Sequence, residues 1–308
     1  MSKHLKERWA GQSPVPGAAS PFGLTAEGAH DFRGAPLRKS EGITEVDGLS
    51  IDNADFSHAS LPHFRISNSR FTNCIFDRAD MTNMADLGNH FENCRFVGTD
   101  MRAAILGLRH SVYRDCLFEK VRFARTGFVN AIFEGVTFRG DLRRINFKVS
   151  GFWGCRFIGN LWDVMFFGES FFDSQQNEIF GVPRDTGLHN VSFEDAKLQF
   201  VNFRWNCAVE HILLPRDGSS VLCTKIIYEE FERDAQKNPP IANIEALKKA
   251  LYLHSIWYEK QDILMIHEAD LIDICGDEDG RRVYSLLRDR VVSSAGAIAA
   301  TARTGRMN

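Results

Sequence analysis

Seven cysteines, at positions 74, 94, 116, 155, 207, 223 and 275, carry the most distinctive side-chain chemistry in this 308-residue sequence. Cys74, Cys94, Cys116 and Cys155 recur at near-regular intervals, and a column of thiols could form a soft-metal strip or a redox relay. The count is odd and no C-x-x-C occurs, which argues against a disulfide scaffold and against a zinc site of the usual spacing. Ala, Ser and Val stand at equivalent places elsewhere, so Cys reads better as a small hydrophobe filling a small pocket. Reduced thiols fit a cytoplasmic protein. His254, His267 and Glu268 lack the H-x-x-x-H or H-E-x-x-H spacing of a metal site. Asp277-Glu278-Asp279 lacks the position-12 Glu of a calcium loop and reads as a helix cap. No nucleophile–base pair or phosphate loop occurs. Catalytic, cofactor-binding and metal-binding residues are therefore expected to be none, and the chain is expected not to be an enzyme.

The elements that position these residues are set by a repeat. The chain has 25 Phe against 5 Tyr and 5 Trp. Large apolar residues step by five through Phe56, Leu61, Ile66, Phe71, Phe76 and Met81, then Phe91, Phe96, Met101 and Leu106. Further runs are Tyr113 to Phe138, then Phe147, Phe152, Phe157, Trp162, Phe167 and Phe172, then Phe193, Leu198 and Phe203. Two residues earlier stands a small or β-branched one, such as Ala54, Cys74, Cys94, Cys116, Val136 or Cys155. Positions i and i−2 of an extended segment share a face. A period of five fits a short strand plus a corner, repeated, so the chain must coil.

The units Ala54-Asp55-Phe56-Ser57-His58, Ala79-Asp80-Met81-Thr82-Asn83 and Cys94-Arg95-Phe96-Val97-Gly98 resemble the A(D/N)LxX pattern of the pentapeptide-repeat family. The resemblance covers residues 43–213 and implies an all-β solenoid, a right-handed quadrilateral β-helix with four pentapeptides per coil. Cys74 and Cys94 lie 20 residues apart, in keeping with such a coil. One core ladder is expected to run Phe56, Phe76, Phe96, Phe118, Phe138, Phe157, and a second Leu61, Met81, Met101, Phe123, Trp162. Asp86 falls on an inward position; Met84 or Leu87 is expected to fill the space, with Asp86 turned outward.

Function concentrates where a rigid scaffold is interrupted. Residues are inserted at Gly107–Val112, which makes Arg109 and His110 a candidate loop. One is lost near the basic stretch Arg139–Arg144. The largest interruption, 173–190, holds Pro183 and two Gly and cannot continue the strands. It is the first candidate partner-binding loop, with Gln175, Gln176, Glu178, Phe180, Arg184, Asp185 and His189. Residues 43–106 carry nine Asp/Glu and five Lys/Arg, whereas 107–172 carry six and ten.

Residues 1–42 hold six Gly, four Pro and four Ser and read as a flexible arm, with Leu5 and Trp9 able to dock over the first coil. Residues 214–308 read as a helical capping and interaction domain that offers a homodimer surface. One helix stops at Asn238-Pro239-Pro240, a long one runs from Ile244 to Cys275, either whole or with a break, and a last one carries Val283, Leu286, Leu287 and Val291. No apolar run reaches the ~18 residues of a membrane span. A net charge of −3 argues against direct nucleic-acid binding.

These features point to a bacterial protein-binding or scaffold protein that uses the outer faces and loops of a rigid β-helix. Two alternatives stand beside it. The resemblance implies one, protection of a type II topoisomerase by DNA mimicry, as in the Qnr and MfpA members; the balanced charge and long C-terminal region depart from that pattern. The arm motivates the other, a bacterial effector or immunity protein.

Overall fold

The computed structural model describes residues 2–10, 19–37, 42–169, 173–182, 186–255 and 260–304. Most of the chain winds as a four-sided β-solenoid whose short strands pair in parallel, mainly in a 12-stranded and an 8-stranded sheet. Strand Arg95–Val97 pairs with Leu117–Glu119, which pairs with Thr137–Arg139, so Phe96, Phe118 and Phe138 stand in register. Such pairing repeats at about 4.8 Å, and the aromatic side chains inherit that spacing. Phe32, Phe56, Phe76, Phe96, Phe118, Phe138, Phe157 and Phe193 form one stack, with ring centroids 4.7–5.3 Å apart. Phe71, Phe91, Tyr113, Phe133 and Phe152 form a second stack.

Corners turn through left-handed backbone. Asn53, Asn73, Asn93 and Asp115 line one edge with φ between 51° and 54°. Asn and Asp tolerate this region because their short side chains can hydrogen-bond locally; the Asn93 side-chain amide donates to Asn73 Oδ1 at 2.6 Å.

The lattice is one residue short at two stacked places, between Phe138 and Leu142 and again between Phe157 and Leu161. Leu142 pairs with Leu161, and Arg143 with Trp162. Leu161 and Phe166 therefore fill the tube, each 1% exposed. Trp162, expected inside, is turned to the surface, and Phe167 leaves the inner column. The step from Phe157 to Leu161 is one residue short of the period, so Trp162 falls just past the inward position.

Asp86 also differs from expectation. It is wholly buried, in register with Ile66, because the insertion in the next coil supplies donors to it, as described below.

The described parts of the expected arm are folded. Helix α1 (Ser2–Glu7) leads to Trp9, 2% exposed, whose ring stacks on Phe32 and whose Nε1 donates to Arg33 O at 2.9 Å. Arg8 forks onto the Asp31 carboxylate at 2.6 and 2.9 Å. Residues 30–37 add strands to the repeat, with His30–Asp31 beside Ala54–Asp55. Gly and Pro content signalled disorder, but in the described parts Trp9 and Phe32 extend the ladder and the Arg8–Asp31 fork ties the helix to it.

Helix α2 (Ser174–Phe180) interrupts the solenoid. Beyond it come strand Ser220–Thr224, α3 (Lys225–Lys237), α4 (Ile244–Ser255), strand Ile263–His267, α5 (Glu268–Cys275) and α6 (Asp277–Thr304). The two strands pair antiparallel. The expected helix from Ile244 to Cys275 is thus broken by a strand. Alternation explains the strand: Leu264 and Ile266 enter the helical core while Met265, between them, plugs the end of the solenoid.

Candidate functional site

One corner column runs Gly48, Asn68, Gly88, Arg109, Asn130, Val149, all with left-handed φ. Their N–H groups donate to the following coil: Asn68 to Leu87 O, Gly88 to Leu108 O, Asn130 to Lys148 O and Val149 to Phe167 O, at 2.7–3.0 Å. Arg109 departs from the pattern, donating instead to Phe180 O at 2.7 Å. The C-terminal end of α2 thus occupies the position of a missing rung. The Asn130 side-chain amide donates to Phe180 O at 2.9 Å and Gly181 O at 2.6 Å, and His110 Nε2 lies 2.6 Å from Val182 O. The two candidate loops, separated by some seventy residues, meet here as one projection.

The inserted residues are fixed from below. Gly107 N–H donates to Asp86 Oδ1 at 2.9 Å, and the Tyr113 hydroxyl donates to Asp86 Oδ2. Ser111 Oγ accepts from Asn89 N–H at 3.0 Å, and Asn89 Oδ1 accepts from Ser69 N–H at 2.9 Å. Burial raises the Asp86 carboxyl to about 6, against the downward pull of the Ser111, Tyr113 and Gly107 hydrogen bonds. A Cβ on Gly107 would sit 2.4 Å from the Ala131 Cβ, and φ there is +96°, so glycine is required.

Helix α2 has a capping box: Asp173 Oδ1 accepts from Gln176 N–H at 2.8 Å, and Gln176 Oε1 accepts from Asp173 N–H at 3.2 Å. No residue of α2 is buried. Gln175 and Glu178 face solvent. Ile179 is 48% exposed and Val182 62%. The projection therefore presents apolar and polar side chains on a support locked by backbone hydrogen bonds. Arg184 and Asp185 lie outside the described residues. His189 is on another face, stacked on Trp153 at 5.2 Å and lining an open groove with Ile132, Glu134 and Thr186. Sequence reasoning missed Asn130, Ile179, Gly181 and Val182; Gly181, with φ +91°, was the legible signal among them.

The thiol column does not supply reactive sulfur. All seven cysteines are free and buried. The Cys155 thiol donates to Phe133 O at 3.3 Å, and burial pushes it up to about 12. The Cys74 thiol is raised by its hydrogen bond with Cys94 and then by burial. Thiols held protonated are poor nucleophiles and poor ligands. Among the described residues no group of three or more His, Cys, Asp or Glu could hold a metal ion.

The architecture defines a β-solenoid scaffold with a helical C-terminal cap and one helix-bearing corner. The chain carries pentapeptide repeats: the family model Pentapeptide repeats matches residues 50–83, with 8 copies. Similar solved structures include HetL, a pentapeptide repeat protein involved in heterocyst differentiation regulation from the cyanobacterium Nostoc sp. It is 15% identical over 56% of this chain and 83% of that chain, with a TM-score of 0.33. Another is full-length QnrB1, a plasmid-mediated fluoroquinolone resistance protein. It is 14% identical over 52% of this chain and 93% of that chain, with a TM-score of 0.25. No curated protein matches the chain.

Proposed function

We propose that the chain is a non-enzymatic protein-binding scaffold whose partner contact is the projection formed by residues 107–111 and 173–182. The observation that carries this reading is the Arg109 N–H to Phe180 O bond, with which the solenoid gives up a rung of its own ladder to hold an exposed helix. A tolerated insertion has no need of such an anchor; a recognition element does, because ordering before contact lowers the entropy cost of binding. Seven buried, free thiols support a reducing compartment, the cytoplasm. Among the described residues no helix is long and apolar enough to cross a membrane.

The test is comparative affinity capture from the native host with the intact chain and with Ile179→Asp/Val182→Asp. These side chains are exposed, so the variant keeps its thermal midpoint. A protein captured by the intact chain and absent from the variant supports the reading. Identical captures, or a reproducible hydrolytic activity, overturn it. A gyrase supercoiling assay with a quinolone separates it from topoisomerase protection, since protection at stoichiometric protein would replace it.

A further inference from the structure

The register at Trp162 opens a second surface. On the face that holds Asp80 and Asp100, strand pairing aligns the coils: Asp100 bridges to Arg122, and Ile105 pairs with Gly127, so Arg102 falls beneath Ala124. Lys120 N–H bonds Arg139 O, and Phe128 pairs with Phe147, so 122–125 lie beneath 141–144. Arg143 in turn pairs with Trp162. Ala124, exposed and short, thus stands in register between Arg102 and Arg143, flanked in sequence by Arg122 and Arg125 and with Arg144 next to Arg143, a low point referred to below as the Ala124 basin. The Arg144 guanidinium lies over the half-exposed Trp162 ring, 5.0 Å from its centroid.

Five arginines here face three carboxylates, Asp100, Asp141 and, opposite Arg144, Asp163. Asp100 is shared by Arg102 at 2.8 Å and Arg122 at 3.1 Å, and Asp141 accepts from the Asn160 amide at 2.7 Å. Arg125, Arg143 and Arg144 have no ion-pair partner among the described residues. An ordinary solvated face intersperses its charges, as the Arg95–Asp77 and Arg114–Glu134 pairs do elsewhere on this rod. This one leaves a block of positive charge around a small side chain.

We propose that the Ala124 basin is a docking site for an acidic peptide segment of a partner protein. The proposal rests on the reading of the chain as a protein-binding scaffold and concerns a face apart from the α2 corner. Guanidinium forks match carboxylates bidentately. Trp162 offers an apolar shelf for a neighbouring side chain. The extent of the basin selects a peptide over nucleic acid: Asp80 and Asp100 close one side along the rod and Asp163 the other. Three coils at about 4.8 Å each span on the order of 10–15 Å, enough for two or three carboxylates. A continuous phosphate backbone would run onto those flanking acids.

The experiment uses the full chain and fluorescein-labelled hexaglutamate, read by fluorescence anisotropy at low salt, with Arg125→Glu/Arg143→Glu, Ala124→Glu, Arg282→Glu and Ile179→Asp/Val182→Asp. Peptide binding is expected to weaken at least tenfold in the first two variants and to stay unchanged in the last two, all with unaltered circular dichroism. The last variant keeps the two readings apart, since it removes the α2 contact and leaves the basin. Unchanged affinity in the basin variants, equal weakening in Arg282→Glu, or tighter binding of a single-stranded 20-mer DNA than of the peptide would overturn the proposal.

Discussion

The Tyr113 hydroxyl donates to the Asp86 carboxylate inside a tube lined mainly by aromatic and aliphatic side chains, and Gly107 N–H donates to the other oxygen of the same group. Tyr113 is the tyrosine of a column whose other rings are Phe71, Phe91, Phe133 and Phe152. Burial raises the Asp86 carboxyl to about 6 from an unfolded value of about 3.9. A raised folded pKa means that the folded form holds its proton more tightly than the unfolded chain does. Its stabilising contribution is complete below about pH 4 and is lost as pH rises through 6, on the order of 3 kcal/mol in all. Asp86→Asn is expected to remove this part of the pH dependence, so that variant minus wild type, from urea midpoints between pH 4 and 8, slopes upward and then levels. Tyr113→Phe is expected to destabilise by about 1–3 kcal/mol at pH 7, since it strips a donor from a buried acceptor.

Gly181 and Gly107 hold the two halves of the projection together by different constraints. A Cβ on Gly181 would approach Arg109 Cα to 3.1 Å at φ +91°. Gly181→Ala is therefore expected to loosen α2 while the solenoid stays folded. Faster amide exchange over 174–182 with an unchanged global midpoint would show it. Gly107→Ala collides with the Ala131 backbone, at 2.6 Å from its Cα and N. It is expected to cost the whole fold about 1–3 kcal/mol or more, with a lowered midpoint and accelerated exchange at 86–113.

The thiol column gives a chemical readout of tube integrity. Burial holds Cys155 and Cys207 near 12, so thiolate is scarce at pH 8. Ellman's reagent is expected to label none of Cys74, Cys94, Cys116 or Cys155 within minutes in buffer, and all seven cysteines in guanidinium. Rapid labelling of Cys94 in the folded protein would contradict a closed tube.

The five-residue period made the solenoid legible, since inward Phe and small residues at i−2 follow from the geometry of a short strand. The stack Phe56 to Phe157 and the two interruptions could be read separately. That the interruptions meet could not, because the Arg109–Phe180 bond runs between backbone atoms, which leave no mark on side-chain type. Asp86 was misplaced because its donors, Gly107 N–H and Tyr113, come from the next coil. Trp162 was misplaced because a repeat read by spacing alone loses its phase at a deletion. Strand Ile263–His267 was read as helix because a short apolar run fits either period.

The two ends of the tube close by side-chain imitation of the next coil, and this predicts unequal roles for single residues. Gln261 Oε1 accepts from Cys207 N–H at 2.9 Å, and its amide donates to Cys207 O at 3.1 Å, as a neighbouring strand would. His267 Nε2 lies 2.9 Å from Val201 O, and Asp270 Oδ1 accepts from Phe200 N–H at 2.7 Å. At the other end Trp9 and Arg8 serve Arg33 O. Gln261→Ala would leave a buried donor and acceptor unpaired, at about 1–3 kcal/mol each. Gln261→Glu keeps the acceptor, loses the donor and adds a buried charge, so it is expected to be the worse change at pH 7 and to improve as pH falls. Trp9→Ala uncovers Phe32 and is expected to cost about 3–5 kcal/mol. If urea denaturation shows Gln261→Glu as stable as wild type at neutral pH, the amide is not standing in for a strand.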